Sequence, residues 1–458
     1  MSAMDADADM GTEAGKRSVG QIIDEGPWST YQKLILFLVA LTIVFDGFDA
    51  QVIGFSIPAL SAEWGIDRAA FAPVVASGVF GMMIGSTVIG PIVDQIGRRA
   101  TIIGAVLVYG AATLVAAAAP DMTTLAILRF VAGAGIGAAL PAATTIAAEF
   151  TPARYRTIAI VAAIVCVPLG GVLAGLTSQA MLPGFGWRSL FVIGGALPLA
   201  LALFLLRNLP ESPSWLSLKP HRSGELVQLM RRMGHVIIPG DLARQQADIL
   251  PGVTEAAAKI FGRALIRRTA ALWVMCFLSM LTIYSSFNWL PALLTASSME
   301  SRDAGHMLTA YNFGGVAGSL LSALAITRFG SRPTLTPVAF MACFTAYAAT
   351  NFDPATQAYE LGILFAINGA CVNGLQAAIY ALCAHSYATN IRGFGTALTL
   401  AVGRIGAIGS ALVGIAFVSA GRFDAFLIFS ACAMLGVATM LMFLDSHIPP
   451  ADKAAVQR

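Results

Sequence analysis

Gly90-Pro91-Ile92-Val93-Asp94-Gln95-Ile96-Gly97-Arg98-Arg99 is a short charged break between two apolar runs, and Thr327-Arg328-Phe329-Gly330-Ser331-Arg332 stands in the same setting further on. Gly330 and Arg332 follow Gly97 and Arg99 by the same 233 residues, and Pro291 follows Pro58 by that interval as well. Equivalent turns at one offset imply two related halves built from the same helical hairpins. That is the layout of transporters whose binding site lies at the midplane between the repeats.

The chain around these breaks is too apolar for water. Of its 458 residues 57% are hydrophobic and 12% charged, with a mean hydropathy of +0.76, whereas a soluble domain is about a quarter charged. Soluble enzymes, secreted disulfide scaffolds and disordered regulators are excluded as classes. A spanning helix needs about 20 mostly apolar residues. Runs of that kind fall at roughly 32–58, 71–93, 100–119, 123–149, 157–180 and 187–207, then at 269–294, 304–327, 333–350, 357–386, 393–418 and 423–444. The expected fold is therefore an all-α polytopic membrane protein with twelve transmembrane helices in two six-helix pseudo-repeats. The expected organisation is a disordered tail over 1–30, a bundle over 31–207, a central loop over 208–268 that tethers the halves, a second bundle over 269–444 and a tail over 445–458.

Lys and Arg orient it. With the N-terminus inside, only Arg68, Arg188, Arg302 and Arg422 of the 28 fall in outside loops, and Arg129 and Arg404 fall within spans. The bias predicts cytoplasmic termini and a cytoplasmic central loop. The acidic N-terminus lacks the apolar core of a cleavable signal. The six cysteines show no metal or redox spacing. A net charge of +3 without a basic stripe argues against a nucleic-acid partner. No cofactor or metal is indicated; the partners expected are a small solute, protons and the lipid bilayer, with a monomer as the default.

Charges inside spans cost at least ~3 kcal/mol each, so each needs a reason. Asp46 and Asp49 lie three residues apart on one helical face, with Asp46 ~20 Å in from Lys33. One reading is a proton-carrying pair, since a carboxyl that gains and loses a proton is what a coupled carrier requires. The other is a static ion pair with Arg129 of span four. Arg404 lies ~18 Å into span eleven and cannot give up its charge. Either Asp46 or Asp49 reaches across to it, or a substrate carboxylate meets its fork bidentately. Shifting the acid pair by the repeat offset lands on Ser279 and Thr282, and shifting Arg129 lands on Gly362, so the acids are not repeated. The first half is expected to handle the proton and the second, through Arg404, to grip the anion. Tyr284, Asn288, Trp289, Asn373, Gln376 and Tyr380 can flank a ring and bond its hydroxyl, though taken singly each reads as packing or an interface anchor.

Gating groups are expected at the inner mouth. Asp94 can pair with Arg98, Arg99 or backbone donors beside Gly97, or the arginines serve only as positive-inside anchors. Arg328 belongs to the second copy, and Arg392 gates or anchors. Glu149 is expected to pair with Arg154, Arg156 or backbone donors. Pro210-Glu211-Ser212-Pro213-Ser214-Trp215 after span six also reads as helix-ending chemistry.

The break at 90–99 resembles the signature of the major facilitator superfamily, with Gln95 standing where that pattern has Arg and Thr327 where the second copy would have Asp. Arg129-Phe-Val-Ala-Gly133-Ala-Gly135-Ile-Gly137 is similar to its span-four pattern. Asp46-Gly-Phe-Asp49 with Gly54 and Pro58, and Gly403-Arg404-Ile-Gly406, resemble the aromatic acid:proton symporter family over roughly residues 20–445. The resemblance implies a major facilitator fold, no enzyme activity, and uptake of hydroxybenzoate-like acids with protons across a bacterial inner membrane for aromatic catabolism. Muconate-like acids are an alternative cargo within the family. Sugars or polyols are a second alternative, but the paired glutamines usual in span seven of sugar porters are missing from Leu281–Asn288.

Overall fold

The computed structural model describes residues 18–235, 258–263, 265–419 and 421–450. Lipid offers no partner for backbone polar groups, so each crossing segment satisfies them within a helix. Among the described residues ten helices are long and apolar enough to span a membrane. One of them, Ala153–Asn208, holds two spans, because Gly186 at φ 68° breaks its axis. Ser331–Ala348 completes the set; its opening Ser331-Arg332-Pro333-Thr334 dilutes its apolar character.

The twelve spans are Thr30–Trp64, Ala72–Ile96, Arg98–Ala116, Met122–Glu149, the two parts of Ala153–Asn208, Ile266–Ala296, Ser301–Phe329, Ser331–Ala348, Ala358–Ser386, Thr389–Phe417 and Phe423–Phe443. They are numbered one to twelve in that order. Span one starts at a capping box, in which Ser29 accepts from the Gln32 amide at 3.3 Å and the Gln32 side chain accepts from the Ser29 amide at 2.8 Å.

Packing repeats between the halves. Span one packs on the five–six helix, two on four, and three on four and six; correspondingly seven packs on eleven, eight on ten, and nine on ten and twelve. The halves meet through one against seven, two against eleven, and eight against the five–six helix. These contacts lie from mid-span toward the face opposite Ser18 and Pro450, here the distal face. There Gly54 abuts the Phe287 carbonyl, and Gln51 and Asn312 exchange amide hydrogen bonds of 3.1 and 2.7 Å. On the face bearing Ser18 and Pro450, the terminal face, the first half has a core of its own, from Ile35 and Val39 to Leu205 and Trp215. The second half's core instead runs into the distal part of the first.

The expectation of a disordered tail to residue 30 is corrected. Val19–Glu25 is a helix with a Ser18–Gln21 capping box. It is held because Val19 and Ile23 are buried and Asp24 pairs with Arg156 at 2.6 Å. Within the expected central loop, Pro213–Ser217 and Ser223–Arg232 are helical; residues 1–17, 236–257 and 451–458 lie outside the described residues.

Candidate functional site

Span one reaches the centre of the molecule closely packed, because Gly47 lies against the Val167 backbone and Gly170 against Val44 and Phe48. Small residues let spanning helices approach in this way. Asp49 is fully buried there and ion-paired with Arg129 of span four. It also accepts a hydrogen bond from the Thr113 hydroxyl of span three. Arg129 donates to the Asp49 carbonyl at 3.2 Å and stands 5.7 Å from the Phe191 ring centroid. Asp49, Arg129 and Thr113 thus form a closed, mutually satisfied cluster inside the first half. Of the two readings of Arg129, the ion pair holds for Asp49.

Asp46, one turn away, is different. It is 5% exposed and holds no hydrogen bond or ion pair among the described residues. The charges acting on it are those of Arg404 across the seam and Asp49. Arg404 is half-buried and likewise has no ion pair among the described residues. It stands between Gly403, which packs on Cys276 and Met280, and Gly406, which packs on the Phe277 carbonyl. These glycines draw span eleven onto span seven, and the charge of Arg404 then reaches Tyr284, Tyr380 and Asp46.

The six polar and aromatic candidates divide. Tyr284 and Tyr380 stand within reach of Arg404, and the Tyr284 hydroxyl has a 3.7 Å contact with the Met82 sulfur of the other half. Gln376 is 7% exposed, with neither amide atom hydrogen-bonded. Asn288 donates to the Tyr284 carbonyl at 2.8 Å and borders a small notch with Arg129, Tyr284, Val79 and Met82. Two expectations are corrected. Trp289 is fully buried against Gly414, with its indole N–H donating to the Ser410 carbonyl at 2.8 Å, so it packs span seven on span eleven rather than facing a cavity. Asn373 faces Gly315 of span eight and donates to the Gly369 carbonyl at 3.0 Å, inside the eight–ten contact.

The terminal ends of the spans show different contacts from those expected. Gly97 turns at φ 97° from span two into span three. One oxygen of Glu211 accepts from the Arg98, Arg99 and Ser212 amides at 2.8, 3.0 and 2.9 Å. A carboxylate at a helix N-terminus satisfies idle N–H groups and complements the dipole. Arg99 donates to the Leu206 carbonyl at 2.6 Å. The Asp94 side chain lies outside the described residues. Glu149 accepts from the Ser212 hydroxyl instead of meeting Arg154 or Arg156. Arg154 lies over Tyr155 at 4.9 Å, Arg328 over Phe329 at 5.6 Å, and Arg392 donates to the Tyr387 carbonyl at 3.4 Å.

Residues 39–301 and 272–458 match the family described as Major Facilitator Superfamily. The chain belongs to this superfamily. It is 34% identical over 429 residues to the 4-hydroxybenzoate transporter PcaK of Pseudomonas putida, covering 92% of this chain and 94% of that one. It is 32% identical over 404 residues to the gallate transporter of Pseudomonas putida, covering 87% and 88%. These relatives bear out the resemblance to the aromatic acid:proton symporter family. Among solved structures it superposes on the xylose transporter XylE from E. coli with a TM-score of 0.68 at 18% identity, covering 92% of this chain and 99% of that one. The chain is accordingly a multi-pass membrane transporter and not an enzyme.

Within the superfamily fold, the departure at Thr327 has a local solution. Its hydroxyl returns to the Leu324 carbonyl at 2.7 Å. The turn at Gly330, φ 88°, is held instead by the C-terminal segment, as the Ser331 amide donates to the Ile448 carbonyl at 2.9 Å and the Ile448 amide to the Ser331 hydroxyl at 2.8 Å. That segment follows span twelve as Glu211 follows span six. The clamps were missed as a pair because one uses a side chain and the other backbone, leaving no common residue to read. Thr113 and the Gln51–Asn312 pair were missed because single polar residues in apolar spans look alike until a partner faces them.

Proposed function

We propose that the protein imports an aromatic carboxylate of the hydroxybenzoate kind together with protons, by alternating access across a bacterial inner membrane, as a monomer with both termini in the cytoplasm. The observation that carries this reading is Arg404. A central guanidinium with no carboxylate bound to it among the described residues, with Asp46 across the seam, suits a cargo that brings its own anion. Relatives that carry 4-hydroxybenzoate and gallate support the same class.

Coupling follows from charge. An ionised Asp46 competes with a substrate carboxylate for the field of Arg404. A protonated Asp46 leaves that field to the substrate, whose carboxylate takes the guanidinium in a bidentate pair. Proton and anion thus bind best together and leave together. Tyr284, Tyr380 and Gln376 flank the ring and supply hydrogen bonds to its hydroxyl. Asn288 borders the site, and Asp49 with Arg129 holds span one in place beneath it. Gly97, Arg98, Arg99, Glu149 and Glu211 close the cytoplasmic side of the first half, with Asp94, Arg154, Arg328 and Arg392 at the same mouth.

The test is uptake of labelled 4-hydroxybenzoate into proteoliposomes under an inward proton gradient, with benzoate, gallate, muconate and glucose as competitors. Gradient-driven uptake inhibited by the ring acids is expected. Glucose inhibition, or uptake indifferent to a protonophore, would reject the reading.

A further inference from the structure

We propose that Tyr109 of span three is a positioning residue for the proton: its hydroxyl takes the protonated carboxyl of Asp46 while a substrate anion holds Arg404. The inference rests on the proton-coupled reading above and says where the neutral acid goes in it.

Register brings the two groups together. Thr113 of span three donates to Asp49 of span one, which fixes how these spans face each other. Tyr109 stands one turn before Thr113 on the same face, and Asp46 stands one turn before Asp49. Both spans begin at the terminal face. The steps of ~6 and ~4.5 Å therefore run the same way and leave Tyr109 and Asp46 at nearly one depth. Gly135 of span four lies against the Tyr109 amide and Gly195 of span six against the Gly110 carbonyl, which holds span three in that register. Of the two charges that reach Tyr109, that of Asp46 is the stronger and that of Asp49 the weaker.

Both groups lack a partner. The Tyr109 hydroxyl is fully buried with no hydrogen bond among the described residues, and Asp46 has none either. Buried polar groups without partners are rare in folded proteins, and each asks for an explanation. Tyr109 is sealed from solvent, so its partner has to be a group of the protein, and the unbonded carboxyl at its depth is that of Asp46. The other titratable groups around Asp46 have other work. Asp49 and Arg129 hold each other, Tyr284 of span seven meets the Met82 sulfur, and Cys166 of span five donates to the Ala162 carbonyl at 3.2 Å. Arg404 of span eleven draws an ionised Asp46 toward the seam. Once protonated, Asp46 loses that attraction, and its carboxyl can donate to the phenol oxygen or accept from the phenol hydroxyl. A hydrogen bond to the neutral form favours that form, so Tyr109 keeps the proton on Asp46 while the loaded carrier reorients.

The test is exchange of labelled against unlabelled 4-hydroxybenzoate by the full-length protein in proteoliposomes, with equal pH on both sides, from about pH 5.5 to about pH 8.5. Wild-type exchange is expected to fall as the pH rises and Asp46 loses its proton, and the profile of Asp46→Asn to be flat. Tyr109→Phe should fall off about half to one pH unit lower than the wild type, which is one neutral hydrogen bond expressed as a pH shift. Its unfolding midpoint should equal or exceed that of the wild type, because the hydroxyl removed had no partner. Tyr31→Phe removes another buried, unbonded phenol hydroxyl at the start of span one and should leave the profile unchanged. A Tyr109→Phe profile equal to the wild type's, or the same shift in Tyr31→Phe, would overturn the proposal and leave the coupled reading standing. A slope that survives in Asp46→Asn would overturn the coupled reading itself, and this inference with it.

Discussion

Asp46 and Asp49 share a helical face and a motif, yet their surroundings assign them different work. Asp49 cannot be neutralised cheaply, because Arg129 would be left as an uncompensated buried charge, a loss of about 3–5 kcal/mol. Asp49→Asn is therefore expected to lower the unfolding temperature sharply. Asp46→Asn breaks no ion pair and should keep the wild-type unfolding temperature. On the proposed mechanism it abolishes gradient-driven uptake while leaving exchange of labelled against unlabelled acid intact. Comparing uptake with exchange in both variants separates the two roles, and identical behaviour would remove the distinction. Trp289→Phe offers a second contrast. Losing the bond to the Ser410 carbonyl should cost about 1 kcal/mol of stability with KM unchanged, whereas a rise in KM would return Trp289 to the cavity. The sequence made both acids and Arg404 conspicuous, since a charge within a span is costly enough to demand a purpose. It could not say which acid meets Arg129, because residues three apart on one face differ only in what stands opposite, here Thr113 for Asp49.

Elements were legible where apolar length decides them and obscure where a few contacts do. Twelve spans follow from hydropathy, and the break between five and six falls at Gly186, inside the gap expected between them. The helix Val19–Glu25 was not legible, because it owes its order to two buried side chains and one ion pair rather than to its own length. The clamp on Gly330 is of the same kind and carries a titratable group. His447 Nδ1 lies 3.2 Å from the Ser331 hydroxyl, and burial first, then Arg332, holds its pKa below the usual 6.5, with the Leu441 and Leu444 backbone and then Asp445 opposing. The docked segment therefore favours the neutral ring. Well above pH 6.5 the imidazole is neutral in both docked and free segments and does not oppose docking. As the pH falls below that value the free segment takes up a proton first, and docking weakens. Amide exchange at Ser331 and Ile448, corrected for intrinsic rates, should be faster at about pH 5.5 than at about pH 7.5. The difference should vanish in His447→Gln. PH-independent protection in the wild type would show that the imidazole does not govern the clamp.

At the scale of the whole molecule, the two halves are held together toward the distal face and have separate apolar cores at the terminal face. On the proposed orientation the distal seam faces outward, and it must part for the transporter to load from outside. Gly54 sets how close that seam can be, because a methyl group there would meet the Phe287 carbonyl and the Asn288 Cα, which are backbone and cannot rotate away. Overpacking of this kind costs about 1–3 kcal/mol, enough to shift a two-state equilibrium by roughly 5- to 150-fold. Gly54→Ala should therefore favour the distally open state, in which spans one and seven are apart and the methyl meets nothing. Spin labels at Ala70 and Ser419, exposed at the distal ends of spans two and eleven, read this directly once the exposed Cys432 is replaced by Ser. The distance distribution in Gly54→Ala should move to longer values, and uptake should fall because the return to the closed seam is slowed. An unchanged distribution with normal uptake would mean that the one–seven contact is not what closes the distal side. The Gln51–Asn312 amide pair would then be the next closure to break.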